Sequence, residues 1–211
     1  MENVRIYYKK KDRMKFVSHL DMTRFMIRML RKAEIPVWYT EGFNKHPYIN
    51  FALPLSLGFE SNKEIMDFKV TEEITAEEIF SRLTAVFPSG IELIKVAEPT
   101  LKPKDVAFAE YFVLFEGDFV NDLTEFLTSA EIKVIKKGKK NKETEIDLKP
   151  HIIKNEITLN NGNTLFKVVL PAGNELNLNP SLLINAFLKD REVIYSVTRN
   201  DLLTKDFNSF E

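Results

Sequence analysis

The sequence predicts an α+β protein built from two tandem ferredoxin-like (βαββαβ) domains with antiparallel sheets, the second one elaborated. Three observations carry this expectation. Apolar residues recur at helical spacing in two stretches of the first hundred residues, and alternating or β-rich stretches flank both. A proline-bearing segment over 97–107 then breaks the pattern. The order of elements beyond it repeats the first order, with additional hairpin signals. The boundaries predicted are 1–98 for the first domain, 99–107 for a linker and 108–211 for the second domain.

Residues 3–9, Asn-Val-Arg-Ile-Tyr-Tyr-Lys, read as the first strand. A charged turn follows, and Met14-Lys15-Phe16-Val17 is expected to continue extended. Ser18 with Asp21 three residues later resembles a capping box, and the acid in the first turn suits the helix dipole. Met22, Phe25, Met26, Met29, Leu30 and Ala33 form the core face of that helix, and Pro36 is expected to end it. Strands are expected at 37–41, 48–57 and 64–70. A second helix begins at Thr75, buries Ile79, Leu83 and Val86, and stops at Pro88-Ser89-Gly90; a strand over 91–96 follows.

In the second half, strands are expected at 111–115 and 132–136, with a helix capped by Asp118 between them. Gly138-Lys139-Lys140-Asn141 reads as a hairpin tip whose lysines, Lys136, Lys137, Lys139, Lys140 and Lys142, are solubilising. Asn160-Asn161-Gly162-Asn163 predicts a type I′ turn between two strands. Asn179-Pro180 opens a helix with Asn as N-cap and Pro at the first helical position. A last strand is expected at 193–198, and the polar tail from Lys205 is expected to fray.

The composition is that of an ordinary globular chain, with a formal net charge of −1 that points to no nucleic-acid partner by itself. The charge is unevenly placed, however. Residues 1–50 hold eleven Lys/Arg against five acids, so a local positive face is expected despite the neutral average. There is no cysteine, which excludes disulfides, thiolate metal sites and iron–sulfur ligation by this chain. No apolar run is long enough to span a membrane and none follows the N-terminus as in a signal peptide, so a cytoplasmic location is expected.

The most unusual stretch is 38–58, Trp-Tyr-Thr-Glu-Gly-Phe-Asn-Lys-His-Pro-Tyr-Ile-Asn-Phe-Ala-Leu-Pro-Leu-Ser-Leu-Gly. It gathers five aromatics around a short polar centre, the composition of a shaped binding loop. If the loop folds over the helix start, His19, Asp21, Arg24, Glu41, Asn44 and His46 converge. A histidine beside a carboxylate there suits acid–base work near neutral pH. The alternative is structural: Asp21 caps the helix, His19 bonds nearby backbone and Glu41 pairs with Arg24. Two histidines and two acids at uneven spacing do not make a metal motif, and no metal is expected. Arg24, Arg28, Arg31 and Lys32 read either as a solvated helix face or as phosphate contacts. In the second case Tyr39, Phe43 or Tyr48 supply stacking surfaces, and Lys45 adds a charge to the loop.

Ser18-His19-Leu20-Asp21-Met22-Thr23-Arg24, the run Glu41-Gly42-Phe43-Asn44-Lys45-His46-Pro47, and Phe51-Ala52-Leu53-Pro54-Leu55-Ser56-Leu57-Gly58 together resemble one bacterial family. They are similar to the radical-SAM-associated (radical-SAM-linked) proteins, a domain-of-unknown-function family. Its pattern runs SHLD-x-x-R, then GFNPHP, then FA-x-PLPLG; Lys45 stands where the family often has proline. The resemblance covers the first 70 residues closely and the remainder loosely. It implies an auxiliary binding protein for a separate radical SAM enzyme, with S-adenosylmethionine and the iron–sulfur cluster on that partner and no cofactor on this chain. Gene neighbourhoods rich in ribosomal-protein and ribonuclease genes imply RNA or a ribonucleoprotein as what is presented. Two other expectations stand beside it. One is an RNA-processing enzyme with His19 or His46 as general base, by analogy with tandem ferredoxin-like endonucleases. The other is a protein-docking adaptor that touches no RNA.

Overall fold

The structure, a computed structural model, describes residues 2–137, 143–173, 176–189 and 191–211. The first half runs β1 (Glu2–Lys10), α1 (His19–Lys32), β2 (Ile49–Phe51), β3 (Glu60–Val70), α2 (Ala76–Val86) and β4 (Ile91–Ala97). The second runs β5 (Phe108–Phe115), α3 (Val120–Thr128), β6 (Lys133–Lys137), β7 (Glu143–Asp147), β8 (Lys154–Asn160), β9 (Asn163–Pro171), α4 (Pro180–Leu188) and β10 (Tyr195–Leu203). The fold is α+β, with four α-helices among the described residues on a large, mostly antiparallel sheet.

Two separate sheets were expected, and here the structure differs. Eight strands join in one sheet in the order β4-β1-β3-β10-β5-β9-β8, with β2 also on β3. β3 is long enough to serve both halves along one edge. Its far end pairs antiparallel with β2, Met66 opposite Phe51, while its first residues Glu60 and Ser61 pair parallel with Thr198 and Arg199 of β10. β6 and β7 form a separate ribbon, and the expected tip at 138–142 lies outside the described residues.

Alternation along the strands divides the core. Val4, Ile6, Tyr8, Met66 and Phe68 pack with Met22, Met26 and Leu30 of α1 and Ile79 and Leu83 of α2. Tyr7 and Ile65 face the other way and join the cluster of the second half. Burying such side chains against one another is the main favourable term holding the layers together.

Several local expectations are corrected. Residues 14–17 are not extended: Asp12–Phe16 is a single 3-10 turn entered through Asp12 at φ 52°. The turn lies against Gly90, where a Cβ would come within 2.9 Å of the Lys11 carbonyl and the Met14 side chain, so the close approach requires glycine. α1 ends at Lys32, four residues before Pro36, because Glu34 turns left-handed at φ 52°. The strands expected at 37–41 and 48–57 shrink to β2 plus isolated bridges Val37–Val70 and Tyr39–Pro47. Pro54 has no N–H to give a ladder, and the Leu53 and Pro54 carbonyls turn instead to Arg199. The tail does not fray either. Phe210 is 0% exposed, its N–H bonds Leu202, and Phe207 stacks on Phe108 at 4.7 Å. Over 99–107 the chain is fixed by a 3-10 turn at Pro103–Asp105, by Arg5 bonding the Leu101 carbonyl and by buried Val106. The Asn161-Gly162 turn has φ values of 49° and 79°, and Asn179 caps α4, both as expected.

Candidate functional site

α1 owes its start to Ser18. The Ser18 Oγ accepts a hydrogen bond from the Asp21 N–H at 3.2 Å and donates to the Asp21 carboxylate at 2.7 Å. Losing both bonds in Ser18→Ala is expected to lower unfolding stability by about 1 kcal/mol, read as a shift in the urea midpoint with unchanged slope. Met22, Met26 and Leu30 are buried, which leaves Asp21, Arg24, Arg28, Arg31 and Lys32 exposed on the opposite side. Arg24 pairs with Asp21 at 3.4 Å. Arg31 donates to the Tyr39 hydroxyl at 3.2 Å, and its guanidinium lies 5.7 Å from the centre of that ring. The cationic row therefore reaches an aromatic, Tyr39, at Arg31.

The 40–47 loop is closed by its own bonds. The Thr40 N–H donates to the His46 carbonyl at 2.8 Å, and the His46 N–H donates to Thr40 Oγ1. His46 Nδ1 lies 3.0 Å from the Asn44 carbonyl oxygen, which can only accept, so Nδ1 carries the proton in the neutral ring. Gly42 at φ 125° makes a bend that a side chain would resist. Pro47 is buried beneath the loop, while Glu41, Phe43, Asn44, Lys45 and His46 are exposed, Phe43 completely.

Among the described residues no hydrogen bond or ion pair joins Glu41, Asn44, Lys45 or His46 to His19, Asp21 or Arg24, and Arg24 has Asp21 rather than Glu41 as its carboxylate partner. His19 packs instead edge-on against Phe51, with ring centres 5.1 Å apart. No group of three or more His, Asp and Glu side chains is placed to hold a metal among the described residues.

The structure draws attention to residues that no sequence motif singles out. Arg199, 1% exposed, makes three short contacts to Glu64, at 3.2, 2.6 and 2.8 Å, and also donates to the carbonyls of Leu53 and Pro54. Lys10 is also buried and donates to the Val17 carbonyl at 3.0 Å. Burial pushes its pKa down, with Glu64 opposing and Arg199 assisting the shift. Burial likewise pushes the Tyr8 and Tyr111 hydroxyls up. A void of about 10 Å³, the size of one water, separates His19, Phe51 and Pro54 from Tyr8, Lys10 and Glu64. The Leu53-Pro54-Leu55 segment of the long motif thus forms a lid over a buried ionic cluster at the junction of β3 and β10.

A family model matches residues 3–180. The chain belongs to DUF2344, described as an uncharacterized protein conserved in bacteria. Comparison with curated proteins returns no match. Among solved structures, one chain of the crystal structure of a Cbf5-Nop10-Gar1 complex aligns with a TM-score of 0.52 at 13% identity, over 94% of this chain and 48% of that one. This DUF2344 chain thus spans about half the length of that neighbour, and the likeness shows the fold alone. The crystal structure of an unknown protein from Galdieria sulphuraria aligns at a TM-score of 0.28 and 12% identity, over 94% of this chain and 98% of that one. A score that low carries no argument.

The signal for the missed DUF2344 residues lay in the strand period. Glu64 shares a face with Met66, Phe68 and Val70, and Lys10 shares one with Val4, Ile6 and Tyr8. A charge at an inward position of an otherwise apolar face calls for a partner, and for Glu64 that partner comes from a strand 135 positions away. Among the described residues no helix is long and apolar enough to cross a membrane.

Proposed function

We propose that the chain is a pair of ferredoxin-like units fused through one sheet, serving in the cytoplasm as an auxiliary binding protein for a separate radical SAM enzyme, to which it presents RNA or a ribonucleoprotein. The strand orders β4-β1-β3-β2 and β10-β5-β9-β8 support the paired-unit reading, with the β6–β7 ribbon as an insertion. The resemblance of the Ser18–Arg24 and Glu41–Gly58 motifs to radical-SAM-linked proteins supports the partner, and the lack of cysteine requires any iron–sulfur cluster to reside there.

The observation that carries the binding reading is Phe43. Its ring is fully exposed at the apex of a loop braced by Thr40 and His46. An exposed ring held by a braced loop offers a π-face on which a base can stack. The exposed Arg24, Arg28, Arg31 and Lys32 supply phosphate contacts, and the aromatic supplies a stacking face, the combination that serves single-stranded RNA.

The test is RNA binding at two salt concentrations. Arg24→Glu/Arg28→Glu is expected to weaken binding by at least about tenfold at low salt, and the salt slope is expected to shrink by roughly 0.7 for each phosphate that is no longer neutralised. Phe43→Ala is expected to weaken binding by about 1–3 kcal/mol with an unchanged slope. No binding by the unmodified chain at low salt overturns the RNA reading. A radical enzyme captured equally by the parent and the double variant would then favour the docking adaptor.

His46 favours one second reading. With Nδ1–H directed at the Asn44 carbonyl, Nε2 holds the free lone pair of an exposed ring, which is the state a general base requires. RNA cleavage abolished by His46→Ala, with binding retained, would establish it; binding without cleavage by the parent chain rejects it.

A further inference from the structure

The Leu53–Leu55 segment also lines a second cavity, of about 480 Å³. Segments from distant parts of the chain build it. Asn179, at the start of α4, donates to Ser56 Oγ at 2.8 Å, tying the motif loop to the second half. Lys136 of β6 donates to the Asn177 carbonyl at 2.9 Å and brings the ribbon to the mouth. Arg199 holds the floor by its bonds to the Leu53 and Pro54 carbonyls, with Tyr111 beside it.

The lining has two characters. Leu53, Leu55, Phe59, Ile135 and Leu182 make an apolar wall, and Ile135 stands 59% exposed over it. Lys136, Arg199 and Tyr111 also line the cavity. No carboxylate lines the cavity among the described residues; Glu64, which neutralises Arg199, faces the smaller void instead. Among the described residues, Lys136 thus adds a positive charge to a space lined about equally by apolar and polar side chains, of a volume that suits a small ligand.

We propose that this cavity binds a small soluble amphiphilic anion, an apolar or aromatic body carrying one acidic group, with the body against Leu55, Ile135 and Leu182 and the anion toward Lys136. The site is separate from the α1 cation row and from Phe43, so it stands or falls independently of RNA binding.

The experiment compares two fluorescent probes of similar body, anilinonaphthalene sulfonate, which is anionic, and N-phenylnaphthylamine, which is neutral. The full chain is expected to bind the anion saturably at one site. Leu182→Trp, which fills the cavity, is expected to abolish binding of both probes. Lys136→Gln, which removes the charge but keeps an N–H donor for the Asn177 carbonyl, is expected to weaken the anion by roughly fivefold, the effect of a unit charge at about 4 Å even in water, and to leave the neutral probe unchanged. Ile135→Glu alters an exposed side chain, so folding is expected to persist while anion binding falls. Circular dichroism and thermal unfolding confirm the fold of each variant. Absence of saturable binding by the parent chain overturns the proposal. So does anion binding that survives in folded Leu182→Trp or Ile135→Glu, or an equal loss of both probes in Lys136→Gln.

Discussion

Arg199→Ala is expected to destabilise the protein by about 3–5 kcal/mol, the range for removing one partner of a buried ion pair. The substitution leaves the Glu64 carboxylate in a pocket where its side chain is 4% exposed, and it strips the Leu53 and Pro54 carbonyls of their donors. It also removes one of the side chains that join β10 to β3, where Asn200 and Asp201 bond Asn62 and Lys63. Lys10, which feels Glu64 electrostatically, is a partial substitute partner, so the loss is expected toward the lower end of that range. Urea unfolding followed by far-UV circular dichroism measures it. The double variant Arg199→Met/Glu64→Met is expected to recover most of the loss, because a shape-matched apolar pair incurs no desolvation penalty for charge. A single variant within about 0.5 kcal/mol of the parent would refute the assignment of Arg199 as a pin of the junction.

Phe210→Ala is expected to produce a loss of similar size, about 3–5 kcal/mol, as for deletion of a fully buried phenylalanine ring. The ring packs among the second core cluster, beneath the Arg5 guanidinium at 4.8 Å. Arg5 in turn pairs with Asp67 at 2.7 and 2.9 Å, so the tail reaches across to the first half. The neighbouring exposed change Asp206→Ala is the control and is expected to stay within about 0.5 kcal/mol. A frayed tail would make the two substitutions equally silent. Chemical denaturation of both variants distinguishes the two outcomes, and amide exchange at Phe210, whose N–H bonds Leu202, reports whether the tail opens separately from the rest.

The sequence identified several elements where a local rule decides conformation, although the residue that precedes α3 is Phe119 rather than the expected cap Asp118. Ser18 before α1, Thr75 before α2 and Asn179-Pro180 before α4 all act as caps in the structure, because a cap needs only its own next three residues. The Asn161-Gly162 turn was legible for the same reason: positive φ at two successive positions is an intrinsic preference. The exposed cation row on α1 followed from helical period alone, since burying Met22, Met26 and Leu30 forces Arg24, Arg28 and Arg31 outward. The tail was misjudged because its composition is polar and a single buried ring, Phe210, outweighs that average.

By itself, then, the sequence determined the α+β class, the helix starts, the hairpin turn, the positive character of the first fifty residues and the family motif. Tertiary structure alone decided that the halves share one sheet, that His19 and His46 point into different neighbourhoods, and that Lys10, Glu64 and Arg199 meet under the Leu53–Leu55 segment. The physical reason is range. Capping, turns and amphipathic period act over a few residues, whereas the β3–β10 pairing and the neutralisation of Glu64 by Arg199 are settled between residues more than a hundred positions apart, where many alternative partners satisfy the same local pattern.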